Sequence, residues 1–335
     1  MNELLQTMST AQKAGQLFLI RCPQENEVSS IACFQPGGVV LFSVDFENRT
    51  AEECLARVNA MQAAALIPLL VSADEEGGTV CRVSRHPALR AERFPSPREL
   101  CSAGGWEAAE ADAEEKCVLL RRVGVNVNLA PVCDLSDDPE HFIYPRAVSG
   151  DPDTASSFVK RVVKISEAHG VGTVLKHFPG YGGNADTHVG ASVDKRPLSR
   201  FRTADLKPFA AGVAAGSNAI MMSHNIVSCL DRRDPASLSP RLHAFLRAEL
   251  KFDGVILTDD LQMDAVSQYW DEGEAAVRAV LAGNDLLCAS RWETQIPAVI
   301  RAAESGALPQ ARLDEAVLRV LRWKKKLGLL ETVRP

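Results

Sequence analysis

About eight short runs rich in Val, Ile and Leu recur along the 335 residues, each followed by a longer segment of mostly helical periodicity. The runs are Leu17 to Ile20, Val39 to Phe42, Leu69 to Ser72, Val125 to Ala130, Thr173 to Phe178, Ala219 to Ser223, Val255 to Thr258 and Asp285 to Ala289. Apolar and polar residues do not alternate within them, so each reads as a strand buried on both faces, the signature of a parallel sheet under helices. Helical spacing falls at Ala51 to Ala65, Glu107 to Val123, Thr154 to His169, Ala204 to Ala215, Pro240 to Leu250 and Gly273 to Leu281, with two further helices near Trp292 to Ser305 and Pro309 to Leu327. Eight such units predict an α/β fold, a closed (β/α)₈ TIM barrel forming a single domain over 1–335. A doubly wound sheet is disfavoured, because neither GxGxxG nor GxxxxGKS follows the first strand. With 46% hydrophobic and 24% charged residues the chain can fill such a core, and no low-complexity stretch interrupts it.

Polar residues then fall where a barrel keeps its chemistry. Asp74 ends the third strand, Asp134 follows the fourth, Lys176 and His177 end the fifth, His224 the sixth, and Asp259 with Asp260 the seventh. All belong to the carboxyl-end rim, which carries the active site of barrel enzymes. The run KHFPGYGGNADTH, Lys176 to His188, leaves that rim on Pro179, Gly180, Gly182 and Gly183, so Asp186 and His188 ride on an irregular excursion. Asp74 is suited to accept hydrogen bonds from vicinal hydroxyls with Arg82 orienting it, the alternative being a turn-capping Asp beside a surface Arg. Glu75 and Glu76 read as supporting residues, and Arg146, on the long loop after the fourth strand, as a ligand contact or a surface residue. Asp259 is a candidate nucleophile or base, Asp260 an N-cap, and Met263 packing or a cavity wall. His224 reads as a satisfied buried or rim histidine. A metal site from His177, His188, His224 and Asp259 is disfavoured, because HxH and HExxH are absent and Lys176 adds a cation beside it.

Composition narrows the partners. A net charge of -6 with scattered Lys and Arg argues against nucleic acid, and no apolar run reaches membrane-spanning length. The first residues lack a signal-peptide pattern, so a cytoplasmic protein with reduced, mostly structural thiols among its nine cysteines is expected. No cofactor is expected, and a monomer is compatible with the sequence.

The segments GGVVLF, DEEGG with Arg82, NLAPVCD, KHFPG, the Asp-Thr-His triplet, LKPF, PASLSP, FDGVILTDDLQM and the last helix, spread from about Gly37 to Leu329, resemble the glycoside hydrolase family 3 β-N-acetylglucosaminidases of the NagZ type. The resemblance implies retaining hydrolysis of terminal β-linked N-acetylglucosamine, an amino-sugar substrate from muropeptide or chitooligosaccharide fragments. It implies Asp259 as nucleophile, His188 as general acid/base with Asp186 as its partner, and Asp74, Arg82, Arg146, Lys176 and His177 as sugar contacts, with Met263 beside them. Tyr181 stands where the family more often has His, Thr79 where it has Arg, and the loop before Asp186 is one residue shorter. Rival readings are attack by the substrate's own acetamido group assisted by Asp259 and Asp260, phosphate as acceptor in place of water, a metal hydrolase, and a non-catalytic sugar-binding protein.

Overall fold

A computed structural model describes residues 1–188 and 190–330. Eight parallel strands form one sheet: β1 (Phe18–Arg21), β2 (Gly38–Leu41), β3 (Leu70–Ala73), β4 (Val127–Asn128), β5 (Gly172–Phe178), β6 (Ala219–Met222), β7 (Val255–Thr258) and β8 (Leu287–Ala289). Their spatial order follows the chain from β1 to β7, and β8 pairs with β1 through Phe18, Leu19 and Ile20. The barrel closes where Leu257 of β7 bridges Leu286, and Asp285 donates its N–H to the Ile256 carbonyl at 2.7 Å. This is the α/β barrel that the recurring apolar runs predict.

Two layers of side chains explain why the strands read as unbroken apolar runs. Leu19, Val40, Leu70, Leu129, Val174, Met221, Leu257 and Cys288 form one buried cluster, which Val320 and Trp323 of the last helix join. Their strand neighbours Ile20, Val39, Val71, Leu287 and Ala289 belong instead to the cluster shared with the surrounding helices. Successive side chains on a strand point to opposite faces, so both faces must be apolar when helices cover the outside.

The fourth strand is shorter than its apolar run. Pro131 has no N–H to give, and the Asn128 side chain turns to the backbone of the third-strand exit, accepting from Glu75 N at 3.0 Å and donating to Glu75 O at 3.1 Å. The helix expected from Glu107 begins earlier, at Pro97, where Ser96 and Glu99 make a capping box. It continues to Arg122 across a kink at Gly105, whose φ of 61° a residue with a side chain disfavours. The expected helix from Ala204 runs regularly only from Leu206 to Ala215, after a widened turn over Phe201–Asp205.

All nine cysteines are free; Cys33 and Cys229 are exposed, Cys101 is intermediate, and the others are buried. Among the described residues, no helix is long and apolar enough to cross a membrane.

Candidate active site

The carboxyl ends of the strands surround a cavity of about 470 Å³. Its closed end is built on Lys176, whose side chain is only 2% exposed, at the end of the long strand β5. The Lys176 ammonium donates to Asp74 Oδ1 at 2.7 Å and lies 2.6 Å from Glu76 Oε1. Burial would lower its pKa, but the two carboxylates outweigh that and hold the ammonium above its ordinary value. Glu76 is bound a second time by Arg146, whose Nε and Nη2 donate to its two oxygens at 2.9 and 2.8 Å. Burial would raise the Glu76 pKa, yet the Arg146 and Lys176 cations push it far below the carboxylate range. Glu76 thereby lines the cavity and holds two of its residues in place, whereas Glu75 faces away and accepts N–H groups of Arg82, Val83 and Ser84.

His177 is fixed on three sides. Its backbone N–H and its Nδ1 both reach Asp134 Oδ2, at 3.1 and 2.7 Å, while Asp134 Oδ1 accepts from Tyr181 N at 2.7 Å. Its Nε2 lies 3.2 Å from Arg146 Nη2. A guanidinium only donates, so Nδ1 carries the proton toward Asp134 and Nε2 accepts from Arg146. Asp134 does not line the cavity; its work is to set the His177 ring and the start of the loop.

Opposite this cluster, β7 delivers Asp259. Its carboxylate is half-buried, faces the cavity, and accepts from Asp260 N at 2.9 Å. Confinement would raise the Asp259 pKa, but the His177 and His224 imidazoles and the Asp260 N–H together hold it below the usual value. Asp260 does not cap a helix. The next helix starts only at Asp264, with Met263 at its N-cap, and Asp260 instead accepts from Gln262 N at 3.0 Å and from Ser290 Oγ. Met263 is 6% exposed and forms part of the wall.

The loop from Tyr181 brings His188 to the same cavity. His188 Nδ1 lies 2.7 Å from Asp186 Oδ1, which also accepts the His188 backbone N–H at 2.9 Å, and the ring is 60% exposed. Thr187 anchors the turn: its Oγ1 meets Tyr181 Oη at 2.5 Å and its carbonyl accepts from Ala265 N at 3.3 Å. Gly182 has a φ of 56°, and a Cβ there would collide with the Arg196 guanidinium.

Asp74, Arg82, Arg146, Lys176, His177, His188, Asp259 and Met263 therefore line one cavity, with Asp186 directly behind His188. His224 does not line it. Its Nδ1 lies 2.7 Å from Ser237 Oγ and its Nε2 3.0 Å from the Asp260 carbonyl, and burial lowers its pKa, so it is a satisfied buried histidine. Among the described residues no three His, Cys, Asp or Glu side chains are grouped to hold a metal. Arg21, Phe42, Gln262 and Ser290 also line the cavity and were not singled out by sequence reasoning. Their positions at or just beyond strand ends carried a signal, but no motif marked them.

The sequence profile of the Glycosyl hydrolase family 3 N terminal domain matches residues 9–323. Beta-hexosaminidase LpqI of Mycobacterium tuberculosis is 31% identical over 331 residues, covering 95% of this chain and 83% of that protein. A beta-hexosaminidase of Xanthomonas campestris pv. campestris is 38% identical over 232 residues, 68% of this chain and 69% of the relative. Among solved structures, a glycoside hydrolase family 3 beta-N-acetylglucosaminidase from Paenibacillus superposes with a TM-score of 0.90 at 29% identity, over 98% of this chain and 64% of that longer one. The chain belongs to glycoside hydrolase family 3.

Proposed function

We propose that the cavity hydrolyses terminal β-linked N-acetylglucosamine with retention of configuration, acting on amino-sugar fragments of muropeptide or chitooligosaccharide type. The observation that carries this reading is the pairing, across one cavity, of the Asp259 anion with the His188–Asp186 pair. The relatives' names, beta-hexosaminidase and beta-N-acetylglucosaminidase, support the same substrate class.

At the closed end Asp74 Oδ2 takes no close bond from Lys176, which binds Oδ1, and is left to accept from vicinal sugar hydroxyls. Lys176 uses two of its three N–H donors on Asp74 and Glu76, and the third reaches the sugar. Arg146 spends Nε and Nη2 on Glu76 and His177, so Nη1 offers two more donors. These cations are neutralised and stiffened before the sugar arrives, which keeps the reorganisation cost of binding low.

With the ring so held, Asp259 attacks the anomeric carbon while His188 Nε2 gives its proton to the departing glycosidic oxygen. The new bond joins sugar to Asp259, and the leaving group departs as a neutral alcohol. His188, now neutral, takes a proton from water, which attacks the same carbon and frees Asp259. Asp186 fixes Nδ1 as the protonated nitrogen and stabilises the imidazolium, leaving Nε2 as the atom that exchanges protons. Attack by the substrate's acetamido group is disfavoured, because Asp260, the second acid such chemistry requires, is engaged by Ser290 and Gln262 N.

Turnover of 4-nitrophenyl β-N-acetylglucosaminide beside the β-glucoside, β-xyloside and β-N-acetylgalactosaminide, with and without phosphate, tests the reading. The expected result is preference for the N-acetylglucosaminide, a free sugar released first as the β-anomer, and no dependence on phosphate. A product that is first α, or a sugar phosphate, contradicts it.

A further inference from the structure

The loop that carries the proposed proton donor is held at its two ends. Tyr181 N donates to Asp134 Oδ1 at 2.7 Å, and the Thr187 carbonyl accepts from Ala265 N at 3.3 Å. Between these anchors Gly182 adopts a φ of 56°, and Gly183 and Ala185 are exposed. Among the described residues, the one hydrogen bond that this middle stretch receives from outside the loop comes from His141, whose Nε2 lies 2.7 Å from the Asn184 carbonyl. Asn184 passes the contact inward, because its own N–H and its Nδ2 both donate to the Tyr181 carbonyl, at 3.2 and 2.7 Å. It stands two residues before Asp186.

His141 is a fixed post for that contact. A carbonyl only accepts, so Nε2 carries the ring proton, and Nδ1 accepts the Ile143 N–H at 3.4 Å. The His141 backbone is bound as well, its N–H by the Asp138 carbonyl at 3.0 Å and its carbonyl by Tyr144 N at 2.9 Å. The same turn continues into Arg146, whose backbone N–H donates to the Ile143 carbonyl at 2.9 Å and whose guanidinium is held by Glu76. Phe142 packs edge-on against Tyr181 with ring centres 5.0 Å apart, and Ile143 and Ala147 share a buried cluster with Tyr181. The turn is tied to the barrel on one side and grips the loop on the other.

We propose that His141 is a positioning residue for the proton donor, holding the Asp186–His188 pair over the cavity through the Asn184 carbonyl. The inference rests on the hexosaminidase reading and adds to it a residue from outside the loop that carries the donor. The His188 ring is 60% exposed and bonds only Asp186 among the described residues, so its placement depends on the backbone from Tyr181 to His188 rather than on packing of its own. Without the His141 bond the stretch from Gly182 to Ala185 is freed, and His188 spends less of its time within reach of the glycosidic oxygen. The loss falls on proton transfer, because Lys176, Arg146 and Asp74 keep their own partners at the closed end.

The test measures kcat/KM for 4-nitrophenyl and 4-methoxyphenyl β-N-acetylglucosaminide on wild type, His141→Ala and His141→Gln. The two glycosides are alike in shape, kcat/KM reports the step in which the phenol departs, and the less acidic methoxyphenol needs the proton more. His141→Ala is expected to lower kcat/KM about five- to tenfold on the methoxyphenyl glycoside, the worth of one hydrogen bond, and less than about twofold on the nitrophenyl glycoside. His141→Gln, whose amide offers an N–H near the same place, is expected to restore most of the loss. In a His188→Ala background, His141→Ala is expected to cost nothing further, since the donor it positions is gone. If His141→Ala does not fold, His141→Asn, whose amide stops short of Asn184, replaces it. Equal losses on both glycosides, no loss on either, or a loss that persists in full without His188 overturns the inference and, with normal wild-type turnover, leaves the hexosaminidase reading standing. Failure of the wild type to turn over these glycosides overturns that reading and the inference with it.

Discussion

Tyr181 Oη and Thr187 Oγ1 lie 2.5 Å apart and tie the first turn of the loop to the residue between Asp186 and His188. Both side chains are buried, and the Tyr181 ring is packed edge-on by Phe142 at 5.0 Å and by His177 at 5.2 Å. Burial, with the Asp259 charge nearby, raises the Tyr181 pKa, so the phenol stays protonated. This hydrogen bond is what the Tyr181 side chain contributes to holding the loop. Tyr181→Phe is expected to keep the packing and lower kcat about three- to tenfold, the worth of one buried hydrogen bond, with the larger loss on substrates that need protonation. Steady-state kinetics on activated and unactivated glycosides measure it; no change in kcat on either class contradicts the tether.

His188→Ala and Asp186→Asn are expected to lose most on poor leaving groups, since activated aryl groups depart with little proton transfer. General-acid catalysis contributes roughly 10² to 10⁴ in rate, so the losses on the two substrate classes should differ by a comparable factor. Equal losses across leaving groups would make the loop a structural lid.

Glu76 gives the fold a pH dependence of definite sign. Its folded pKa is depressed from 4.5, so its stabilisation is complete at neutral pH, begins to fade as the unfolded carboxyl protonates near 4.5, and is lost toward lower pH. Glu76→Gln leaves Lys176 and Arg146 short of one negative charge and is expected to cost about 3–5 kcal/mol at neutral pH. Denaturant melts of wild type and variant at a series of pH values should show this gap narrowing with acid. A gap independent of pH would contradict the assigned charge state.

Exhaustive chelation is expected to leave turnover unchanged, because the Lys176 ammonium and the Arg146 guanidinium already occupy the positions beside Asp74 and His177 where a metal would act. Activity lost to chelator and restored by one divalent ion would instead mark a metal hydrolase.

The barrel was legible because a strand covered on both faces must be apolar throughout, and eight such runs leave few alternatives. The strand-end rule also located Asp74, Lys176 and Asp259 on the rim. What pattern did not supply was rotation and partnership. Asp134 was visible as a rim acid, but only the folded backbone shows it turned onto the His177 N–H and ring rather than into the cavity. Asp260 follows Asp259 directly yet points to Ser290, thirty positions away in the chain. Arg21 ends β1 and Phe42 follows β2, and their contact depends on the β1–β2 register, which sets Arg21 beside Val40.

Asp259 is expected to form a covalent bond to the sugar. Incubation with a 5-fluoro N-acetylglucosaminyl donor, followed by proteolysis and mass spectrometry, tests it directly. The expected result is one added sugar on the peptide containing Asp259, absent from Asp259→Asn. Release of an oxazoline from unlabelled enzyme, or a sugar attached to a different carboxylate, would contradict it.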